Sequence, residues 1–248
     1  MELIEGRQPV REALRAGRRI GRILVARGAH SKGTLAEILE LAATAGIPVE
    51  RLPREQLEAR ATTATHQGVI AEAQPLPQRS WREGVAAARA AGRPPLLLAL
   101  DEIQDPQNAG ALLRSAEVFG ADAVLMPIRR SAPSGASLTK ASAGAIEHLI
   151  VDRVANLERA LAACREDGLW VVALAGDGAQ DVSACALLAE PVVIVVGSEG
   201  KGVSRLIRER ADVVVRIPTV GRIDSLNASV AGAICLWEAV RVRSRETI

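Results

Sequence analysis

The chain has almost no aromatic residues. Its 248 residues include three tryptophans, one phenylalanine and no tyrosine, so aromatic residues make up 2% of the sequence. A protein that holds single-stranded nucleic acid by stacking bases needs several aromatic rings. The composition therefore excludes an aromatic stacking platform, and any RNA partner must be held mainly by charge and shape.

Cysteine is also scarce, and long apolar runs are absent. Three cysteines, far apart along the chain, exclude a disulfide framework and offer no spacing typical of a metal site. No apolar stretch approaches the roughly 18 residues that a membrane-spanning helix needs, and the amino terminus lacks the basic and apolar segments of a signal peptide. We expect a cytoplasmic protein with reduced, buried thiols, no membrane segment and no metal.

Hydrophobic residues are plentiful, at 48% of the chain, which is enough for one large or two ordinary domains. Prolines cluster on both sides of a short alanine-rich stretch in which Ser80 and Glu83 could form a capping box. This stretch predicts a linker over residues 75–95. It would join a first domain over residues 1–74 to a second over residues 96–248.

The two predicted domains differ in their secondary-structure pattern. Apolar runs at residues 22–26 and 48–52 predict strands, and residues 9–16 and 34–45 predict helices, which together form a small α/β unit. The second domain alternates more regularly between strands and helices, which predicts a doubly wound parallel sheet. Its strand candidates are residues 96–100, 123–126, 148–151, 170–174, 192–196 and 213–217.

A glycine-rich loop follows the most apolar strand candidate. Residues 197–202 read Gly-Ser-Glu-Gly-Lys-Gly, which leaves Glu199 as the only acidic group of a loop that can approach a ligand closely. A tight strand-to-helix turn without a ligand is the alternative. The loop fails the Walker pattern, because Gly202 stands where Ser or Thr is required, and the dinucleotide fingerprint, because Arg205 replaces the third glycine.

Two other loops follow predicted strands, and ligands of doubly wound sheets bind at such carboxyl ends. After residue 100, Asn108 could cap a helix that carries Arg114. After residue 217, Ser225 or Asn227 could cap a final helix whose small residues allow close packing on the sheet. Each capping residue taken alone could be purely structural.

Charge is unevenly distributed. Residues 1–74 hold eleven basic and nine acidic side chains, whereas residues 96–248 carry a net charge of −3. Seven arginines against three glutamates lie within residues 1–27, which suits binding to a phosphate backbone. A solvated arginine-rich helix face would give the same pattern.

Three blocks, taken in order, resemble the SpoU family of RNA ribose 2′-O-methyltransferases, within the SPOUT superfamily. The resemblance covers residues 96–240. The blocks are Asn108-x-Gly110-x-x-x-Arg114-x-Ala116, then Ile-Val-Val-Gly-Ser-Glu-Gly-x-Gly over residues 194–202, then Ile217-Pro218 through Ser225-Leu226-Asn227-x-Ser229. Residues 6–10 and 66–69 also resemble the substrate-binding domain of the branch that methylates a guanosine of bacterial large-subunit rRNA.

The resemblance implies a fold and a cofactor. It implies a carboxyl-terminal parallel-sheet α/β domain with a deep trefoil knot, a small amino-terminal α/β domain similar to ribosomal protein L30e, and a homodimer that packs partly through the last helix. Interface candidates on that helix, expected from residue 227 to about 242, are Ile234, Trp237 and Val240. S-adenosylmethionine would be bound by Val196, Gly197, Gly202, Ile217, Pro218 and Leu226, and RNA by Arg7, Arg11, Arg18, Arg19, Arg22 and His66.

The resemblance also implies the catalytic set Asn108, Arg114, Glu199, Ser225 and Asn227. Neutralising a guanidinium at pH 7 costs about 7 kcal/mol, so we expect Arg114 to clamp a phosphate and the hydroxyl rather than take its proton. Glu199 would orient or compensate Arg114, and the remaining three would fix the loops and the ribose. A tRNA methyltransferase, or an RNA-binding ribosome-assembly factor without catalysis, are the alternatives.

Overall fold

The computed structural model describes residues 1–63, 65–222 and 225–245. Strands and helices alternate along them. The strands are β1 (Glu2–Glu5), β2 (Ile20–Ala26), β3 (Val49–Leu52), β4 (Val69–Ala73), β5 (Leu96–Asp101), β6 (Ala123–Pro127), β7 (Val151–Val154), β8 (Trp170–Leu174), β9 (Gln180–Asp181), β10 (Val192–Gly197) and β11 (Val213–Arg216). The helices are α1 (Arg7–Arg15), α2 (Thr34–Thr44), α3 (Arg54–Glu58), α4 (Trp81–Ala90), α5 (Pro106–Val118), α6 (Ala136–Ala141), α7 (Leu157–Glu166), α8 (Arg205–Arg210) and α9 (Ala228–Arg245).

The chain divides into two compact units. Unit 1 comprises residues 1–77 and 133–148, and unit 2 comprises residues 78–132 and 149–248. Both units contain a sheet with helices packed against it. The α/β class expected from the sequence is confirmed in each.

The unit boundaries differ from the expected ones at the proline-framed stretch. This stretch is not a free linker, because α4 packs on unit 2. The Trp81 side chain is 3% exposed, and its backbone N–H donates to Asp152 Oδ2 at 2.9 Å. A Cβ at Gly84 would lie 2.3 Å from the Asp122 carbonyl oxygen, so the helix approaches unit 2 very closely. The expected capping box at Ser80 and Glu83 is present at the start of α4.

A second difference is the segment over residues 133–148, which was expected in the second domain. It packs on unit 1 because buried charges tie it there. Arg18 Nη1 donates to Glu147 Oε2 at 2.7 Å, and both side chains are almost fully buried. Burial raises the pKa of Glu147 despite the hydrogen bond from Arg18. The expected strand at residues 148–151 is instead β7, three residues further along the chain.

Unit 1 is built on a four-stranded mixed sheet in the order β1-β4-β2-β3. Strand β4 pairs antiparallel with both of its neighbours, and β2 pairs parallel with β3. Alternate residues of β2 enter different core clusters: Ile23 and Val25 pack among residues of α1 and α2, and Leu24 packs with Leu57 of α3. Strands β1 and β4 were not anticipated from the sequence.

Unit 2 is built on a seven-stranded sheet in the order β7-β6-β5-β10-β8-β11-β9, and every pairing is parallel. All residues of β10 are buried, as a strand covered by helices on both faces requires. Helix α9 also packs closely on the sheet as its small residues predict, because a Cβ at Gly232 would lie 3.1 Å from Val196 Cγ2 of β10, and it packs on α5 as well, with Leu112 Cδ2 at 2.4 Å from the same Cβ.

The strand order places a switch point between β5 and β10. The chain leaves β5 towards β6 on one side and leaves β10 towards β11 on the other. In the register of this pair Gly197 lies opposite Asp101, so both strands end at the same level. A ligand of a doubly wound sheet binds in the crevice at such a point. Within the described ranges, no helix is both long and apolar enough to cross a bilayer.

Candidate active site

The glycine-rich loop folds back tightly over the end of β10. Gly202 N–H donates to the Ser198 carbonyl oxygen at 2.8 Å, and the backbone of Gly202 lies directly above Gly197. A Cβ at Gly197 would lie 2.0 Å from the Gly202 carbonyl carbon, so only glycine fits there. Gly202 has a φ of 66°, which other residues rarely adopt.

A cavity of about 550 Å³ opens at this loop. Its walls are the segments that follow β8, β10 and β11, together with the start of α9. Of the six residues expected to bind a cofactor, five line it: Val196, Gly197, Gly202, Ile217 and Leu226. The sixth, Pro218, is exposed and outside the lining. The volume is in the range of small-molecule and cofactor sites.

Three side chains from the three sequence blocks form a hydrogen-bonded cluster at the edge of this cavity. Asn108 Nδ2 donates to Glu199 Oε1 at 3.1 Å, and Asn227 Nδ2 donates to Asn108 Oδ1 at 2.8 Å. Asn227 Nδ2 also donates to Glu199 Oε1. Glu199 Oε2 accepts no hydrogen bond from a described residue. One carboxylate oxygen is therefore used to hold the cluster, and the other remains available to a ligand.

Asn227 holds the cluster on the end of a helix. Its Oδ1 accepts from the backbone N–H of Ser229 at 2.9 Å and of Val230 at 3.2 Å, so Asn227 caps α9 as the sequence suggested. Ser225 lines the cavity but does not cap α9.

Asn108, in contrast, is not a cap, and that expectation was wrong. Asp105 caps α5 by accepting from Gln107 N–H and Asn108 N–H at 3.2 Å each. The side chain of Asn108 is therefore free to reach Glu199. The Asp-Pro pair at residues 105–106 was the signal for the true cap, because proline is favoured at the first helical position.

Arg114 does not join the cluster. It lies on α5 six residues after Asn108, which places it about a third of a turn round the helix, and its side chain is exposed. Among the described residues Arg114 has no hydrogen-bond or ion-pair partner. The expectation that Glu199 orients Arg114 is therefore not met in this structure, since Glu199 Oε1 is engaged by the two asparagine amides instead.

Two further acidic residues shape the site, and the sequence did not single them out. Asp101 ends β5, is 6% exposed, and accepts from Ser204 N–H at 2.6 Å, which fixes the segment leading into α8. Asp177, on the cavity wall, accepts from Arg208 Nη2 at 2.7 Å through both carboxylate oxygens. The hydrogen bond from Arg208 lowers the pKa of Asp177. Their positions, at the last residue of β5 and three residues after the end of β8, were the available signal.

A smaller cavity of about 260 Å³ lies against the same cluster. Residues 102–105 form one wall, and Asn108 with residues 198–199 and Lys201 forms the other. The two cavities share Ser198, Glu199 and Lys201. Glu199 thus lies where a cofactor in the larger space and an acceptor in the smaller one would meet.

The arginines expected to bind RNA do not form one free basic surface in unit 1. Arg18 is buried between Glu2 and Glu147, so its guanidinium is not accessible to a phosphate. Arg11 pairs with Glu12 and Glu37, and Arg22 pairs with Glu50 and Glu72. Within the described part of unit 1, Arg7 and Arg19 form no ion pair. His66, the last of this set, is buried beside Gln67.

The three cysteines are buried, as expected. Burial raises the pKa of Cys164 to about 12 and raises the pKa values of Cys185 and Cys235. They remain protonated at neutral pH and offer no reactive thiolate. In the residues that the structure describes, no group of three or more potential ligand side chains could hold a metal ion.

Comparison with known sequences identifies both units. Residues 95–237 match the SpoU rRNA Methylase family, and residues 3–79 match the RNA 2′-O ribose methyltransferase substrate-binding family. A protein of Mycolicibacterium vanbaalenii named as a tRNA/rRNA methyltransferase is 44% identical over 242 residues, which cover 98% of this chain and 77% of the relative. The chain belongs to the SpoU family of RNA 2′-O-methyltransferases.

Further relatives match nearly the full length of the chain. A Bacillus subtilis protein named for the TrmH family of tRNA/rRNA methyltransferases is 35% identical, over 98% of this chain and 96% of its own length. A crystal structure of an RNA 2′-O ribose methyltransferase is 29% identical, with a TM-score of 0.79 over 98% of this chain and 88% of that one. The SpoU methyltransferase AviRb of Streptomyces viridochromogenes, crystallised with S-adenosylmethionine, is 24% identical and has the same fold, with a TM-score of 0.81 over 98% of this chain and 90% of that one.

The cofactor of this SpoU protein is S-adenosylmethionine, and the larger cavity fits it. The cradle at Gly197 is closed to any side chain, so backbone groups of the loop line the space. The walls carry both charge signs, with Asp177 and Glu199 against Lys201 and Arg208, which suits a ligand bearing both an ammonium and a carboxylate group.

Proposed function

We propose that this chain methylates the ribose 2′-hydroxyl of a guanosine in bacterial large-subunit rRNA. The observation that carries the proposal is the position of the Asn108–Glu199–Asn227 cluster between two cavities that share Glu199. S-adenosylmethionine binds in the larger cavity and the acceptor ribose in the smaller one. When bound, the cofactor supplies an electrophilic methyl group on a sulfonium.

The walls of the larger cavity hold the cofactor mainly through backbone groups. Val196, Gly197, Gly202, Ile217 and Leu226 are the binding residues, and we retain the deep trefoil knot as the topology of these loops. Such loops are fixed before the ligand arrives, so little entropy is lost in ordering them. Pro218 supports Ile217 from outside the cavity.

Glu199 positions the acceptor. Its Oε1 is held by two amide donors, and its Oε2 accepts the hydrogen bond of the ribose hydroxyl and is the acceptor for the proton that the hydroxyl loses. Alignment of the hydroxyl oxygen with the methyl group supplies much of the rate in an in-line displacement. Asn108 and Asn227 keep the carboxylate in place, and Ser225 contributes a hydroxyl on the cavity side of the same loop.

Arg114 acts as a clamp on the RNA. It is exposed and unpaired among the described residues, so its guanidinium is available to a phosphate next to the target ribose. Two parallel N–H donors on a phosphate fix both distance and angle. In this role Arg114 stays charged throughout the reaction.

The choice of rRNA rests on unit 1. Its match to a substrate-binding family indicates a separate element for presenting RNA. Arg7, Arg11, Arg19, Arg22 and His66 are its RNA-binding candidates. The similar proteins are named for tRNA and rRNA alike, so a tRNA guanosine is the second candidate substrate.

We further propose a homodimer that packs through α9. Trp237 is 51% exposed and Val230 is 47% exposed, and they are seven residues apart on this helix, so they lie on one face. Ile234 lies between them and Val240 one turn beyond Trp237. A large aromatic anchor surrounded by aliphatic side chains is typical of interface centres.

One experiment tests substrate and position together. Radiolabelled S-adenosylmethionine is supplied with unmodified large-subunit rRNA and, in parallel, with unmodified tRNA, and the methylated ribose is mapped by primer extension. We expect label on one rRNA guanosine. Label on tRNA alone would overturn the rRNA assignment, and absence of label on both RNAs and on ribosome-assembly intermediates would support the non-catalytic alternative.

A further inference from the structure

A third cavity, of about 480 Å³, lies entirely within unit 1. The loop after β2, helix α3 and the loop before β4 line it. Its polar residues are Arg27, Arg54, Glu58, Thr65, His66 and Gln67. None of these residues belongs to the methyl-transfer site, so this cavity serves a different ligand or a different part of the same one.

His66 is the buried polar group of this cavity. The residue is 6% exposed, and its Nδ1 accepts from Gly68 N–H at 3.2 Å. The neutral ring therefore carries its proton on Nε2. Nε2 has no hydrogen-bond partner among the described residues. It is not fully buried either, so it keeps some access to solvent. His66 lines the cavity, so its Nε2–H is a donor within reach of a ligand bound there.

The loop that carries His66 is fixed in its conformation. Gln67 has a φ of 55°, unusual for a residue with a side chain, and Gly68 has a φ of 77°. Gln67 Oε1 accepts from Arg7 N–H at 3.1 Å, and its carbonyl oxygen accepts from Arg7 Nε at 3.3 Å. A non-glycine residue held at positive φ by such contacts is typical of functional sites.

Cationic groups flank the donor. Arg54 is 79% exposed and uses its Nε to bind Glu58 Oε1 at 2.8 Å. Arg27 uses its Nε on the Arg51 carbonyl oxygen at 3.4 Å. The remaining N–H groups of both guanidiniums form no bond with a described residue. A buried N–H donor beside two guanidiniums suits a ligand that has an uncharged acceptor edge and an adjacent anion.

We propose that this cavity holds one unpaired nucleotide of the RNA substrate. His66 Nε2–H donates to a ring nitrogen or carbonyl oxygen of the base, and Arg27 and Arg54 bind the flanking phosphates. The small side chains of Ala26 and Ala29 and the backbone of Gly28 leave room for the flat base. Proteins recognise single-stranded RNA by such splayed bases. The assignment to RNA rests on the proposed function, and this nucleotide is distinct from the methylated one.

The test measures RNA binding by the full-length protein without a methyl donor. A fluorescein-labelled single-stranded RNA of ten nucleotides is compared, by anisotropy, with the same sequence in a blunt duplex. The deciding variant is His66→Asn, because the asparagine Oδ1 can still accept from Gly68 N–H while no group replaces Nε2. Loss of one good hydrogen bond predicts a five- to tenfold weaker affinity for the single strand. Affinity for the duplex should be unchanged.

The arginines are tested separately. The double variant Arg27→Gln, Arg54→Gln should weaken single-strand binding and reduce the slope of log affinity against log salt by about 1 to 2. Arg79→Gln is the matched control, because Arg79 also forms an ion pair with a glutamate four residues ahead but lies outside unit 1. It should change neither quantity.

The outcomes separate this proposal from the proposed function. If a folded His66→Asn protein binds the single strand with wild-type affinity, the proposed nucleotide pocket is wrong. It is also wrong if the variant loses as much affinity for the duplex as for the single strand. Both conclusions hold whatever the methylation assay shows. If His66→Asn weakens single-strand binding while no RNA accepts a methyl group, the pocket stands and the proposed activity fails. Thermal unfolding of each variant verifies that it is folded.

Discussion

The large cavity of unit 2 and the cavity of unit 1 are built from different parts of the chain. The first is shaped by backbone, in loops where Gly197 and Gly202 allow one strand end to fold back on itself. The second is lined by long polar side chains such as Arg27, Arg54 and His66. A backbone cradle suits a small ligand of constant shape, whereas arginines and a histidine suit a charged polymer.

The two sites also differ in the contacts that hold their residues in place. In unit 2 one cluster of three side chains is supported by helix ends, since Asn227 caps α9 and Asn108 lies in the first turn of α5. In unit 1 the loop before β4 is held by Glu5, which is fully buried and accepts from the N–H and hydroxyl groups of Thr62 and Thr63. Substitution of a glycine that shapes the backbone should therefore affect mainly the site of unit 2, and substitution of a polar side chain should affect mainly the unit that carries it.

The largest effect is expected from Gly197→Ala. The added Cβ would overlap backbone atoms of Gly202, so the loop must open and the cofactor cradle is lost. We expect S-adenosylmethionine affinity to fall more than a hundredfold and methyl transfer to become undetectable, as measured by calorimetry and by label transfer. RNA binding by unit 1 should persist.

Gly21→Ala is the control for Gly197→Ala. A Cβ at Gly21 approaches only the mobile end of the Met1 side chain closely, at 2.8 Å. It should leave cofactor affinity unchanged. Near-normal cofactor binding by Gly197→Ala would show that the loop is not a rigid cradle.

The next largest effect is expected from Glu199→Gln. The glutamine oxygen can still accept from Asn108 and Asn227, which places an N–H₂ group where Oε2 should accept the ribose hydroxyl. Loss of one such preorganised contact typically costs a factor of about 100 to 1,000 in rate. Single-turnover methyl transfer should fall by that factor while cofactor and RNA affinities stay within about threefold.

Glu209→Gln provides the control for Glu199→Gln. Glu209 is exposed and forms an ion pair with Arg205 on α8, outside both unit 2 cavities. Its loss should not change the rate. A Glu199→Gln enzyme with wild-type turnover would remove Glu199 from the reaction.

The sequence predicted the site of unit 2 better than that of unit 1. Buried strands of a parallel sheet give uninterrupted apolar runs, so β5, β8 and β10 and the loops after them could be located from residues alone. The expectation that Asn108, Glu199 and Asn227 belong to one site followed from the family resemblance, which paired Glu199 with Arg114 and not with the two asparagines. Their hydrogen bonds could not be predicted, because they depend on which residue caps α5.

Unit 1 was harder to predict because its arginines could not be assigned partners. Arg18 pairs with Glu147, 129 residues away, and no local pattern indicates such a contact. Net charge over residues 1–27 therefore overstated the exposed positive charge. Strand β1 was missed because it is only four residues long and contains Glu5, a buried carboxylate whose partners lie 57 and 58 residues further along.

A smaller effect, on stability, is expected from Glu5→Gln. Burial raises the pKa of Glu5, but the hydrogen bonds from Thr63 and Thr62 outweigh it and lower the pKa below the ordinary value of 4.5. The contribution of Glu5 is therefore present above that value and is lost as the pH falls through the lowered pKa. The variant should reduce the free energy of unfolding by about 2 kcal/mol at pH 7.

Denaturant unfolding from pH 7 to pH 3 tests this expectation. The difference between Glu5→Gln and wild type should shrink as the pH falls below 4.5 and through the lowered pKa of Glu5, since the wild-type side chain then becomes neutral like the glutamine. Glu55→Gln, at an exposed position on α3, should match wild type throughout. A difference that stays constant with pH would show that Glu5 acts by packing and not by charge.

The smallest effect, about tenfold on methyl-transfer rate, is expected from Arg114→Lys. If residue 114 binds a phosphate, lysine keeps only one of the two parallel hydrogen bonds that arginine makes. The pH dependence of the methyl-transfer rate should then be the same in the variant as in wild type. A base would behave in the opposite way, because an ordinary lysine is about a hundred times more often neutral than an arginine at a given pH. If the variant reacts as fast as wild type, or if its pH–rate profile shifts to lower pH, the phosphate-binding role is wrong and residue 114 takes the hydroxyl proton. Arg159→Lys is the control, because Arg159 is exposed on α7, and it should leave the rate unchanged.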